Sequence, residues 1–270
     1  MNENTKLESL AKEIRRIALG LVYKSKSSHI GGAFSMADLL AVLYEEFIQI
    51  SPDTLAHPLR DRFILSKGHA CTSLYAVLAL KGFFPMSDFD NYAEDGNSFL
   101  THATHYVPGV ELSAGSLGHG LSVACGLALG ARSRGENWKT YCLVSDGEMD
   151  EGSNWEAILF AGHHHLSGLC LLIDYNKIQS LGFTHDIIDL EPLAEKMRAF
   201  QWNVIEIDGH NYSEIRNALK KARDQHEKPT VIIANTIKGK GVSFMENKLL
   251  WHYRNPDEEQ YKSALRELMQ

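Results

Sequence analysis

The sequence has 270 residues, 44% of them hydrophobic and 23% charged, and carries a net charge of −7 at pH 7. This length and apolar content suffice for the core of one α/β domain or of two small ones, and the negative charge argues against non-specific nucleic-acid binding. The four cysteines form no CxxC pair, so no zinc site or disulfide framework is predicted. No apolar run is long enough for a membrane span or shaped like an export signal. We therefore expect a cytoplasmic protein with neither a membrane nor a nucleic acid as partner.

Hydrophobic periodicity predicts helices that alternate with strands along the chain. Helical patterns lie at about 6–23, 36–47, 70–80, 120–134, 153–165, 190–200 and 213–226. Strand-like runs lie at 62–65, 141–144, 169–173, 203–207 and 230–234. This order predicts an α/β fold with a doubly wound, mainly parallel sheet and helices on both faces. No linker divides the chain, so we expect a single domain over 1–270 that ends in a polar extension from about residue 245.

Two predicted strands end in side chains with oxygen donors. Asp146 follows the strand 141–144, and Asn176 follows the strand 169–173 after an intervening helix. Parallel strands of such a unit end at the same edge of the sheet, so both side chains should face one site. A carboxylate, an amide oxygen and nearby carbonyls suit a magnesium ion that takes its other ligands from a diphosphate and water. The alternative is two ordinary turns whose side chains bond their own backbone.

Seven short motifs occur in the order in which they are found in the amino-terminal half of transketolases. They are SHIGG at 28–32, RDRF at 60–63, SKGHA at 66–70, PGVE at 108–111, GSLG at 115–118, the unit from 146 to 176, and KGKG at 238–241. Together they span nearly the whole chain, which resembles the diphosphate-binding half of that family. One departure is Ser145, which stands where the family has the first glycine of a Gly-Asp-Gly motif.

The resemblance implies a thiamine diphosphate site with a bound magnesium, or a calcium or manganese in its place. The metal ligands it implies are Asp146, Asn176 and the backbone carbonyl of Ile178. It further implies cofactor contacts from the following residues: Gly115 and Leu117 to the aminopyrimidine, Gly147 close to the phosphates, Lys238 near the diphosphate or substrate edge, and His69 and His252. The thiamine diphosphate supplies the carbanion chemistry, and the protein binds and orients it.

Four of the 13 histidines match family positions around the reactive carbon of the cofactor. They are His29, His69, His102 and His252, and the resemblance implies that they bind sugar oxygens and exchange protons near neutral pH. His105 is an alternative to His102, because the local sequence departs from the family pattern.

Several other polar side chains have weaker assignments. His119 either lines the thiazolium ring or caps the following helix. The run 163–165 of three histidines is expected to be structural or solvated, because neighbouring residues of a helix point in different directions. Glu148 either supports the site or is a plain surface charge.

The resemblance implies a transketolase that moves a two-carbon ketol unit from a ketose, expected to be phosphorylated, to an aldose. In that family the glutamate that activates the cofactor lies in the other, pyrimidine-binding half. The chain thus resembles the amino-terminal subunit of a split transketolase, active only with a C-terminal partner subunit in an α2β2 heterotetramer. Two alternatives remain: a divergent thiamine enzyme with an unusual sugar or carrier-bound acceptor, and a non-catalytic homologue.

Overall fold

A computed structural model describes residues 3–269; residues 1, 2 and 270 of the predicted 1–270 domain lie outside the described residues. Five strands form one sheet. They are β1 (Arg62–Leu65), β2 (Thr140–Ser145), β3 (Leu169–Tyr175), β4 (Asn203–Asp208) and β5 (Thr230–Asn235). Their order is β1-β2-β3-β5-β4, and every pairing between neighbours is parallel. The central strand β3 is buried along its whole length, as expected for a strand that is covered on both faces.

Ten α-helices surround this sheet in the described part of the chain. They are α1 (Glu3–Ser25), α2 (Ile30–Ser35), α3 (Ala37–Val42), α4 (Cys71–Leu80), α5 (Gly120–Ser133), α6 (Gly152–His163), α7 (Thr184–Ile187), α8 (Leu193–Ala199), α9 (Tyr212–Arg223) and α10 (Glu258–Leu268). Alternate strand residues point to opposite faces. Leu143 packs in a core with α1, α3, α4 and α9, and its neighbour Val144 packs in a second core with α5, α6 and α8. The predicted fold class is therefore confirmed.

The C-terminal segment differs from the polar extension that the sequence predicted. Its last helix, α10, begins with a capping box in which Asp257 accepts a hydrogen bond from the Gln260 amide at 2.9 Å. Ala264 and Leu268 are buried against α1 in a third apolar core, and Tyr261 stacks on Tyr23 with ring centroids 4.1 Å apart. The helix is mostly polar, so the sequence does not reveal its narrow apolar stripe.

Two short helices, α2 and α7, were also not predicted. The predicted helix 36–47 is interrupted: α3 ends at Val42, and the wider turns of a π-helix follow at Leu43–Phe47. None of the helices within residues 3–269 has both the length and the apolar character that a membrane span requires.

Candidate active site

A cavity of about 270 Å³ opens at the carboxyl ends of the central strands. Segments that follow β2, β3 and β5 form part of its wall, as the parallel topology predicts. The lining residues are His29, Gly32, Lys67, His69, His102, Gly115, Leu117, Ser145, Asp146, Gly147, Asn176, Ile178, Gln179, Ser180, Lys238, His252 and Tyr253. Every residue predicted from the sequence as a primary site residue is among them.

Four histidines from separate segments meet in this cavity. The ring centroid of His29 lies 4.9 Å from that of His69, 6.0 Å from that of His102 and 5.2 Å from that of His252. His29 is held in the left-handed backbone region at φ 73°, which is uncommon for a residue with a β-carbon. Its amide donates to the carbonyl of His252 at 3.0 Å, so the two histidines are also joined through the backbone.

The cavity keeps these imidazoles neutral at pH 7. Burial, with smaller contributions from His102 and Lys238, lowers the pKa of His29 to about 4. Burial and the charge of Lys238 lower the pKa of His252 to about 3. Burial also lowers the pKa of His69 and of His102. Four neutral rings can each donate and accept a hydrogen bond, which suits the hydroxyl and carbonyl groups of a sugar.

His102 lines the cavity, whereas its alternative His105 lies outside it. The Nδ1 atom of His105 is 2.7 Å from Ser113 Oγ, and its ring packs on Tyr106 with centroids 4.2 Å apart. His119 is exposed at the start of α5 and makes no capping hydrogen bond through its side chain. The structure thus provides no support for its role as a helix cap.

The triple histidine at 163–165 lies outside the cavity, at the end of α6 and just after it. In the described residues, 3–269, no group of three or more His, Cys, Asp or Glu side chains is arranged to hold a metal.

Asp146 and Asn176 both line the cavity and also bond the local backbone, so the two interpretations of the sequence are compatible. The Asp146 carboxylate accepts from the Gly147 amide at 2.8 Å and from the Lys177 amide. The Asn176 amide oxygen accepts from the Ile178 amide at 3.2 Å. Burial, followed by repulsion from Asp174, raises the pKa of Asp146 to about 6. Within residues 3–269 no cationic side chain forms an ion pair with Asp146.

A fully buried ion pair beneath the cavity was not identified from the sequence. Lys67 Nζ donates to Asp174 Oδ2 and, at 2.8 Å, to the carbonyl of Gly32. Asp174 also accepts from Ser35 and Thr236, and from the Asn176 side-chain amide at 3.3 Å. This last bond engages the amide nitrogen of Asn176, and the amide oxygen, which accepts from Ile178, keeps a lone pair for a further partner. A charged residue inside the apolar run of β3 was the available signal for Asp174.

Lys238 brings a second buried cation to the cavity wall. Its Nζ atom donates to the carbonyl of Ile178 at 2.9 Å and lies 3.0 Å from His252 Nδ1. Burial lowers its pKa to about 8, although the nearby charge of Asp146 counteracts the shift. Lys238 therefore links the third of the expected metal ligands to one of the four histidines.

Glu148 is buried, so the surface-charge alternative is wrong. Its carboxylate accepts hydrogen bonds from Ser66 Oγ, from the Gly118 amide at 2.9 Å and from the Ser145 amide at 3.3 Å. One carboxylate thereby joins the ends of β1 and β2 to the loop that carries Gly115 and Leu117. Gly147 has a local role as well, because a β-carbon there would lie 2.6 Å from Gln179 Cβ.

The donor atoms fit a hard divalent cation beside a diphosphate. Asp146 is a buried carboxylate that forms no ion pair within residues 3–269, Asn176 presents an amide oxygen, and the Ile178 carbonyl keeps a second lone pair beyond its bond to Lys238. Such a set of oxygens suits magnesium, which usually takes further ligands from phosphates and water. Next to them, no heavy atom of the described chain outside residues 114–116 lies within 4 Å of the position of a β-carbon at Gly115, so that wall is open to a ring.

Comparison with known proteins agrees with this geometry. Residues 7–267 match the family described as transketolase, thiamine diphosphate binding domain. A 6-deoxy-6-sulfo-D-fructose transketolase subunit of Clostridium sp. (strain MSTE9) is 43% identical over 97% of this chain and 96% of its own length. An apulose-4-phosphate transketolase subunit of Phocaeicola vulgatus is 38% identical over 97% of this chain and 93% of its own length.

The transketolase of Campylobacter jejuni has the same fold, with a TM-score of 0.94 at 31% identity. The match covers the whole of this chain and 43% of the length of the Campylobacter transketolase. The fold and the family match together define a thiamine diphosphate-binding domain. The chain belongs to the transketolase family, in which it corresponds to the amino-terminal part. The resemblance seen in the sequence is confirmed, and so is a function of the transketolase type.

Proposed function

We propose that this chain is the amino-terminal subunit of a thiamine diphosphate- and magnesium-dependent transketolase that moves a two-carbon ketol unit from a ketose to an aldose. The observation that supports this most is a single cavity in which four histidines meet beside a set of oxygen donors. We further propose that residues 1–270 act as one domain. A cytoplasmic location is part of the proposal, supported by four cysteines that are all buried and unpaired.

Each part of the cavity has a proposed role. Bound thiamine diphosphate would supply the carbanion chemistry. Asp146, Asn176 and the Ile178 carbonyl would hold the magnesium, and Gly147 and Lys238 would lie near the phosphates. Backbone groups of Gly115 and Leu117 would bond the aminopyrimidine. His29, His69, His102 and His252 would bind the sugar oxygens and move protons between them, with His69 and His252 also touching the cofactor.

The cavity does not contain the acid that activates the cofactor in this family. Asp146 is the only carboxylate among the described residues that line it, and that side chain is assigned to the metal. A partner subunit would supply the missing glutamate. The two relatives named as subunits are matched over almost their full length, which supports a divided enzyme, and we propose an α2β2 heterotetramer.

The substrate is proposed to be a ketose that carries an anionic group. The names of the two subunit relatives refer to a sulfonated fructose and a phosphorylated sugar. Both lysines of the cavity wall are already engaged, Lys67 by Asp174 and Lys238 by Ile178 and His252. The anionic end of the sugar would therefore extend toward the partner. An unusual acceptor sugar is the second candidate, favoured by Tyr253 in the wall beside His252.

The test is reconstitution from purified subunits. The chain would be assayed with magnesium and thiamine diphosphate, alone and with a C-terminal transketolase subunit from the same organism. Fructose 6-phosphate and 6-deoxy-6-sulfofructose would serve as donors with a panel of aldoses as acceptors. We expect no ketol transfer by the chain alone and transfer by the mixture. Turnover by the chain alone would refute the partner requirement, and an inactive but cofactor-loaded complex would favour the non-catalytic alternative.

A further inference from the structure

A histidine outside the cavity contacts the segment that carries Lys238. His210 follows β4, and its Nε2 atom lies 2.8 Å from the backbone nitrogen of Ile237, which follows β5. The other ring nitrogen, Nδ1, lies 2.7 Å from Asp38 Oδ2. The side chain of His210 is only 12% exposed, so both contacts are largely shielded from water. The imidazole thus bridges a buried carboxylate and a backbone amide.

The two contacts determine the tautomer of His210. A backbone N–H can only donate, so Nε2 must be the unprotonated acceptor and Nδ1 must carry the hydrogen that Asp38 accepts. Asp38 is held as a carboxylate by Arg15, which donates two hydrogen bonds to it, one of them 3.1 Å long. Asp38 also accepts a hydrogen bond from the Tyr212 hydroxyl at 2.7 Å. The acceptor face of His210 is therefore directed at Ile237.

The Ile237 amide lies immediately before Lys238. Backbone hydrogen bonds hold the residues on either side. The Thr236 amide donates to the Tyr175 carbonyl at 3.2 Å, and the Gly239 amide donates to the Gly31 carbonyl at 3.0 Å. Between them, the carbonyls of Ile237 and Lys238 accept from the Lys240 and Asn247 amides at 3.1 Å and 2.9 Å, and the Ile237 amide is held by His210. The turn of His210 also packs directly on this segment, because a β-carbon at Gly209 would lie 2.4 Å from Thr236 Cγ2.

We propose that His210 is a positioning residue: by holding the Ile237 amide, it aligns Lys238 with His252 and with the Ile178 carbonyl. The ammonium group of Lys238 reaches both partners at hydrogen-bond distance, 3.0 Å and 2.9 Å. Small displacements of such groups are costly, because productive geometry tolerates little error. The kinetic consequence rests on the proposed function, whereas the structural consequence can be measured in the chain itself.

Two substitutions separate the contacts of the ring. The side-chain nitrogen of asparagine can replace Nδ1, so His210→Asn keeps a donor for Asp38 and loses the acceptor for Ile237. The side-chain oxygen of glutamine can reach the place of Nε2, so His210→Gln keeps the acceptor and loses the donor. Tyr212→Phe is the control, because it removes another donor to Asp38 without a bond to Ile237.

The first measurement is hydrogen exchange of the Ile237 amide in the full chain. We expect exchange at least about tenfold faster in His210→Asn and within about threefold of the parent in His210→Gln and Tyr212→Phe, because an amide without its acceptor opens more readily. In the complex with the partner, kcat should fall by about tenfold in His210→Asn only. The melting temperature of each variant measures how much folding stability is lost when a hydrogen bond to Asp38 is removed.

Equal exchange rates in folded His210→Asn and the parent would overturn the inference. A loss of kcat in Tyr212→Phe as large as that in His210→Asn would also overturn it, because the effect would then come from Asp38. If His210→Gln does not fold, the comparison of His210→Asn with Tyr212→Phe still shows whether the effect comes from Ile237 or from Asp38. An inactive parent complex would refute the proposed function, while the exchange rates would still decide the role of His210.

Discussion

Two neighbouring carboxylates in the cavity region have pKa values that are shifted in opposite directions. Burial alone would raise the pKa of Asp174, but Lys67 and the hydrogen bonds outweigh it and hold the pKa below its usual range. Asp146 lacks such a partner within residues 3–269, and burial together with Asp174 raises its pKa to about 6. Asp174 is thus a satisfied structural anion. Asp146 is the carboxylate that a bound cation would stabilise, which favours it as the metal ligand.

The first prediction concerns this ligand. Asp146→Ala should weaken thiamine diphosphate binding to the assembled enzyme in the presence of magnesium by at least about 100-fold, because the proposed direct metal ligand is removed. Calorimetric titration measures the affinity, and circular dichroism checks the fold. Asp95→Ala, at an exposed aspartate, is the matched control and should bind as the parent does. Parent-like affinity in Asp146→Ala would show that the metal is held elsewhere.

The second prediction separates sugar contacts from cofactor contacts. Alanine at His29, His69 or His252 should lower kcat by about 10²–10⁴-fold, because a group that moves protons is lost, and the cofactor affinity should change far less. Steady-state kinetics and cofactor titration of the reconstituted enzyme measure both quantities. His163→Ala, outside the cavity on α6, is the control. Unchanged kinetics in all three cavity variants would assign these histidines a structural role.

At the scale of elements, the central strands could be predicted because continuous apolar runs are typical of strands buried on both faces. The site of Asp146 and Asn176 followed from the rule that parallel strands end at one edge. Helix α2 could not be predicted, because all six of its residues are buried and show no polar face. The pairing of Lys67 with Asp174 and of His210 with Ile237 could not be predicted either, because only the folded chain brings these distant segments together.

The third prediction tests the buried pair that joins β3 to the segment after β1. Lys67→Met leaves Asp174 buried without its cation, and breaking such a pair typically costs about 3–5 kcal/mol. Urea unfolding of the chain measures this loss of stability. Arg198→Ala is the control, because its ion pair with Glu206 is about half exposed on both sides and such pairs contribute about 1 kcal/mol or less. Equal effects in the two variants would contradict the role assigned to the buried pair.

At the scale of the whole molecule, exposed apolar side chains lie on the chain segment that follows the lining residue Ser180 and in the cavity wall itself. Leu181 follows the lining residue Ser180 and is 71% exposed, and Phe183 nearby is 48% exposed. Tyr253 lines the cavity itself and is 56% exposed. We define Leu181, Phe183 and Tyr253 as the apolar rim. Such an apolar surface next to the cavity is suited to the proposed partner subunit, which would cover the cavity and supply the activating acid.

The last prediction is that Leu181→Asp weakens binding of the C-terminal subunit by at least about tenfold, because a charge would be buried in an apolar contact. Leu59→Asp is the matched control, at a leucine that is 51% exposed and does not line the cavity. Analytical ultracentrifugation of the mixed subunits measures the affinity. Ketol transfer by Leu181→Asp should recover at high partner concentration, because Leu181 does not line the cavity and should affect assembly rather than chemistry. If both variants bind the partner equally well, the subunits meet at another surface.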